Sequence, residues 1–122
     1  MNIGGIILKV RSIYPEVSKE EIINVINNLE AKLKREILIP AGIKAEKEKL
    51  TYKDMEQTLI LDESFADMYL NYIMAILAAN NADSEAYDNY MKLFNLIYDD
   101  IAAYYRRNYI PVKRVKISGD NI

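Results

Sequence analysis

Between Ile3 and Tyr14 the apolar residues Ile3, Ile6, Ile7, Val10, Ile13 and Tyr14 recur at spacings of three and four, which predicts one buried face of a helix that Asn2 can cap. Gly4 and Gly5 weaken that helix by about 1 kcal/mol each relative to alanine. Pro15 ends it. A second helix starts at Ser18, whose hydroxyl can accept from the amide three residues on while Glu21 reaches back, with Val17 and Ile22 placed as a hydrophobic staple. Ile22, Ile26, Leu29, Leu33 and Ile37 form its expected buried stripe, and Lys32, Lys34 and Arg35 occupy its last turns, where cations suit the helix dipole.

Residues 38–61 carry no helical period: Pro40 and Gly42 break the preceding helix, "KAEKEK" has no apolar face, and "QTLIL" reads as a short strand. From Asp62, an expected N-cap, Phe65, Met68, Tyr69, Tyr72, Ile73, Ile76 and Ala79 restore the helical spacing until Asn80 and Asn81 interrupt it. Asp83 begins another run, with Tyr87, Tyr90, Met91, Phe94, Ile97, Tyr98, Ile101 and Tyr105 in phase to about residue 108. Two helices joined by so short a turn should lie antiparallel. The expected fold is therefore all-α. It is a small bundle built on a long antiparallel hairpin, with an N-terminal helix pair across it and an irregular middle excursion at 38–61. A helical domain over 1–108 would be followed by a basic arm over 109–122.

The bulk numbers narrow the chemistry. A chain of 122 residues has room for one domain with a real core. With no cysteine and no histidine there can be no disulfide, thiol nucleophile or imidazole base, and nearly every transition-metal site is excluded. Asp99 and Asp100, like Asp62 and Glu63, are adjacent and would point about 100° apart on a helix, so neither pair can close on one substrate as acid and base. Four scattered glycines supply no phosphate-binding loop. The chain is not expected to be an enzyme, and no cofactor or metal is called for. No apolar run reaches the ~18 residues of a membrane span, and the first twelve residues lack a signal-peptide core, so the chain reads as cytosolic at synthesis.

Charge is distributed unevenly. Residues 1–53 hold ten Lys/Arg and seven Asp/Glu, residues 54–100 one and ten, and residues 101–122 five and one, giving balances of +3, −9 and +4. Such polarity would let like molecules dock head to tail. Of ten tyrosines, eight lie between Tyr69 and Tyr109, more than one helix can bury. Tyr104 and Tyr109 fall off the core stripe and are assigned to contact with another chain. Pro111 favours an extended start to the arm, along which Val115 and Ile117 alternate with Arg114 and Lys116. An apolar and cationic strand of this kind can bury its apolar side on a partner's sheet edge or groove.

"VRSIYPEVSKEEIINVINNLEAKLKREI" followed by "YLNYIMAILAANNADSEAYDNYMKLFNLIYDDIAAYYRRNYIP" resembles the small head-tail connector proteins of long-tailed bacteriophages and of prophages in Gram-positive bacteria, also called adaptor or head completion proteins. The likeness spans about residues 6–111; the charged stretch from Lys44 to Lys53 has no counterpart in it. The resemblance implies a virion protein of the head-tail junction, present in the host cytoplasm before assembly. Its subunits, commonly twelve, would form a ring beneath the portal protein, extend the DNA channel and dock the next head completion or tail protein. The arm would engage the portal or a neighbouring copy through Tyr104, Arg106, Arg107, Tyr109, Lys113, Arg114, Val115, Lys116 and Ile117. Under this reading Asp62, Glu63, Asp67, Asp83, Asp88, Asp99 or Asp100 would line the channel, and DNA would pass without specific binding because like charges prevent phosphate contacts.

A reading from another class is a small helix-turn-helix DNA-binding regulator that uses the first two helices and places the basic tail on phosphates. Asn24, Asn27 and Asn28 would be its base readers, although "KEEIIN" puts two acids where a recognition helix meets DNA. A plain dimeric helical protein is the third.

Overall fold

The computed structural model describes residues 2–43, 50–51, 57–61 and 63–108, with Glu63 described by its backbone. The helices are α1 (Ile3–Ile13), α2 (Lys19–Leu33), α3 (Ala66–Asn80) and α4 (Ser84–Asn108). No strand occurs among the described residues, and the all-α bundle expected from the sequence is the fold observed.

The start of α1 is secured twice. Asn2 Oδ1 accepts from Gly5 N–H at 3.1 Å, and the Ile3 N–H donates to the Gln57 carbonyl at 3.0 Å. This long-range bond, with the single antiparallel bridge between Asn2 and Thr58, is what remains of the expected strand at 57–61. Ile3, Ile6, Ile7 and Val10 are buried as the spacing predicts. Ile13 is not: it is 60% exposed, because the chain turns away at Tyr14 before the last turn reaches the core.

Ser18 caps α2 as expected, accepting from Glu21 N–H at 3.1 Å. The return half of the capping box is replaced, since the Glu21 carboxylate accepts from Asn80 Nδ2 at 3.3 Å and ties α2 to the far end of α3. Ile22, Ile26, Leu29, Leu33 and Ile37 are all buried. Truncating any one of them to alanine would cost about 2–5 kcal/mol.

Beyond Leu33 the helix widens into a π-turn over Lys34–Leu38, in which Ile39 N–H reaches back five residues to the Lys34 carbonyl at 2.9 Å. The reason lies just ahead: Pro40 has no N–H to donate and its ring crowds the carbonyl four residues earlier, so the ladder opens where the ring needs room. Gly42, at φ +81°, then ends the segment, with Gly42 N–H on the Ile39 carbonyl and Ile43 N–H on the Leu38 carbonyl, both at 2.9 Å. That pair of bonds is a Schellman stop, which needs the left-handed conformation glycine adopts freely.

A 3₁₀ turn at Glu63–Phe65 leads into α3. The expected cap Asp62 lies outside the described residues, and Phe65 occupies the cap position without a side-chain bond. Met68, Tyr69, Ile73, Met74, Ala75, Leu77 and Ala78 are buried, a wider arc than one face, whereas Ala79 is exposed. The reason is position: α3 packs against α1, α2 and α4 at once. A turn of three residues, Asn81 to Asp83, reverses the chain. Asp83 N–H closes the end of α3 on the Ala78 carbonyl at 2.9 Å, while Asp83 Oδ1 opens α4 by accepting from Ala86 N–H at 3.1 Å. Ring contacts of Tyr72 with Phe94 at 4.9 Å and of Phe65 with Tyr104 at 6.4 Å confirm that α3 and α4 run antiparallel.

Candidate functional site

Three features outside the apolar core bear on what this bundle can do: a buried carboxylate, an aromatic seam along α4, and the outward faces of α1 and α4.

Glu30 is buried in α2, four residues after Ile26 and three before Leu33, a position the apolar stripe would otherwise fill. Its Oε2 accepts from the Tyr69 hydroxyl at 2.8 Å and from Ile60 N–H at 2.7 Å. Leu61 N–H in turn donates to the Tyr69 oxygen at 3.4 Å. The phenol is driven well above its ordinary range, by burial first and then by the Glu30 charge. Together these bonds fasten residues 60 and 61 between α2 and α3. Asn27 does the same one turn earlier, donating to the Leu50 carbonyl at 3.2 Å and accepting from Leu50 N–H at 3.0 Å. With both ends of its amide committed to backbone, Asn27 is not presented to a nucleic acid; Asn24 and Asn28 remain exposed.

Along α4, Phe94 stacks at 5.2 Å on Tyr98, whose hydroxyl donates to Glu36 Oε1 at 2.6 Å. Lys32 pairs with the same carboxylate at 2.9 Å and sits 5.1 Å from the centre of the Tyr98 ring. The Tyr98 hydrogen bond, more than the lysine, holds the Glu36 carboxyl below the usual carboxylate range. Burial, then that hydrogen bond, raises Tyr98. These contacts join α4 to the π-turn.

The expected partner residues divide. Tyr104 is 40% exposed, but its ring also meets Phe65 and stands edge-on to Tyr105 at 5.2 Å, so it closes the end of the hairpin besides facing outward. Arg106 and Arg107 are exposed in the last turn of α4, where cations face the negative end of the helix dipole. Tyr109, Lys113, Arg114, Val115, Lys116 and Ile117 lie outside the described residues, as does Asp62.

The acids do not form one patch. Asp83 and Asp88 stand at the α3–α4 turn, and Asp67, Asp99 and Asp100 toward the opposite end; all five are exposed, and Glu63 begins the 3₁₀ turn. Asp83 is committed to capping α4. Among the described residues no group of three acids could hold a metal ion. No described helix is long and apolar enough to cross a membrane.

Two surfaces were not singled out by their sequence. On α1, Gly4, Leu8, Arg11 and Ser12 share one outward face and, with Gly5 and Lys19, border an open groove of about 680 Å³. On α4, Leu93 and Leu96 are 50% and 66% exposed, one turn before Asp99 and Asp100. The signal was present in both cases. Glycines inside a helix weaken it, and leucines out of phase with the core stripe are left outside the core. Compared with known proteins, the chain matches no family model, no curated protein and no solved structure.

Proposed function

We propose that this chain is a structural subunit of a phage or prophage head-tail connector, which assembles with copies of itself into a ring under a portal protein and receives the next completion or tail protein. The observation that carries the reading is the imbalance between the hairpin helices and their burial. The 25-residue α4 buries only Phe94 and Ile101 completely, whereas the 15-residue α2 buries seven side chains. A helix this long that uses so little of its surface internally is suited to contact between molecules.

The resemblance to connector proteins supplies the kind of contact. Arg106 and Arg107 begin the cationic stretch that continues through Lys113, Arg114 and Lys116, and this stretch is the part we assign to the portal or a neighbouring copy. The exposed acids Asp67 and Asp88 would keep DNA moving through the ring by repelling phosphates. In this role the chain performs no catalysis. Its place is the virion, at the junction of head and tail.

The test is assembly with a portal protein of a long-tailed phage or prophage. Mass measurement of full-length protein with that portal should show a ring complex, and a chain ending at Asn108 should lose most of the affinity. Failure of full-length protein to bind would overturn the reading, and unchanged binding by the shortened chain would overturn the role given to residues 109–122. Gel-shift titration addresses the regulator alternative. Binding that is sequence-selective near physiological salt would favour it over the connector.

A further inference from the structure

We infer that the groove on α1 receives the outward face of α4 from a second copy of this chain, with Leu93 and Leu96 entering beside Leu8 and the carboxylates of Asp99 and Asp100 meeting Arg11 and Lys19.

The two surfaces are complementary in shape and in charge. Leu8, at 75%, is the most exposed large apolar residue among those described, and it lies between Gly4 and the Arg11–Ser12 pair on one helical face. Among the described residues, an added Cβ at Gly5 would meet nothing closer than Asn2 Oδ1 at 3.9 Å, so no close contact there calls for glycine. The absence of that Cβ leaves a shallow floor onto which another helix can settle closely. Among the described residues, the groove's border carries the cations Arg11 and Lys19 and no carboxylate. On the donor side, Leu93, Leu96, Asp99 and Asp100 follow one another around the outward half of α4, and Lys92 is the one cation between Glu85 and Tyr105.

Charge also selects the arrangement. A two-fold pairing of groove with groove would bring Arg11 and Lys19 against themselves, and a pairing of α4 with α4 would oppose the acids. Only a contact of groove with α4 satisfies both faces, and in its head-to-tail form it is made once between each pair of copies. Because each copy then offers one free groove and one free α4 face, the contact repeats, and it closes into a ring where the rotation between copies divides a full turn. Only that closure rests on the connector reading.

The chain contains no cysteine, so single cysteines report the contact cleanly. Leu8→Cys and Leu96→Cys chains carrying tags of different mass should be oxidised separately and together. The mixed disulfide is expected to exceed either like pair by about fivefold or more. Arg11→Gln and Arg11→Glu, at an exposed position in the last turn of α1, should keep the helical spectrum, with a small loss of melting temperature for the acid, and the charge reversal is expected to weaken self-association about tenfold in sedimentation. Like pairs forming as readily as the mixed pair, no cross-link at millimolar protein, or an Arg11→Glu chain that associates normally would each overturn the inference. Rings formed on a portal without the Leu8–Leu96 cross-link would overturn this interface and leave the connector reading intact. Cross-linking by a chain with no affinity for the portal would uphold the interface and remove the connector reading.

Discussion

The hydroxyl of Tyr69 in α3 donates a 2.8 Å hydrogen bond to the carboxylate of Glu30 in α2, 39 residues earlier, and the same carboxylate oxygen accepts from the backbone of Ile60. A buried acid is costly unless such donors surround it, so this constellation is a point where the fold can be tested by subtraction. Tyr69→Phe removes one donor to a charged group and should lower stability by about 1.5–3 kcal/mol. Glu30→Ala removes the shared acceptor, leaves the Ile60 amide short of it, and should cost about 3–5 kcal/mol. Urea denaturation followed by circular dichroism measures both. A Glu30→Ala loss smaller than that of Tyr69→Phe would contradict the assignment.

Alkaline pH should act on the same bond. The folded-state pKa of Tyr69 is raised above the ordinary 10.0, by burial before the Glu30 charge, and that of Tyr98 is raised likewise. A group shifted upward contributes stability that is complete below its unfolded pKa and is lost as pH rises from there toward the folded value. The melting temperature should therefore hold steady to about pH 10 and fall above it. In a tyrosinate absorbance titration, Tyr69 and Tyr98 should ionise above the range of an ordinary tyrosine, with the buried Tyr69 the later of the two.

Ala82 holds φ +59° at the stop of α3, where its N–H bonds the Ala79 carbonyl at 3.1 Å. A Cβ is a liability in that left-handed conformation. Ala82→Gly should raise stability by about 0.5–1 kcal/mol, visible as an increase in melting temperature, even though glycine usually destabilises.

Asn27 is the only link in α2 to Leu50 that uses both ends of an amide, and no charge is involved. Asn27→Ala should cost about 1–3 kcal/mol, with little dependence on salt. The regulator reading is tested instead at the exposed Asn24 and Asn28, where it predicts altered DNA binding with unchanged stability.

Helix positions, the Ser18 cap and the α3–α4 hairpin were legible in the sequence because periodicity and capping are local signals. Ile13 and Ala79 were misplaced for a common reason. Whether the last apolar residue of a stripe is covered depends on where the neighbouring element stops, which spacing does not encode. Glu30 was legible only as an interruption in a buried stripe. Its partners come from residues 60 and 69, and no pattern within α2 points to them. The widened turn before Pro40 likewise requires knowing that the helix tries to run through the proline. The Leu8 and Leu93–Leu96 faces could have been found by asking which apolar residues fall out of phase, a question that a search for core positions does not put.

The three-residue reversal between α3 and α4 also bears on the order in which the molecule forms. Its contacts are close in sequence and carry little loop-closure entropy, so the hairpin should be the early folding nucleus. Helix α1, weakened by two glycines and anchored at Ile3 to Gln57, cannot be fixed until the middle of the chain has been threaded into place. The described helix that leaves the ribosome first is thus the last to be secured, and its amides should exchange with deuterium well before those of Tyr72 to Leu77.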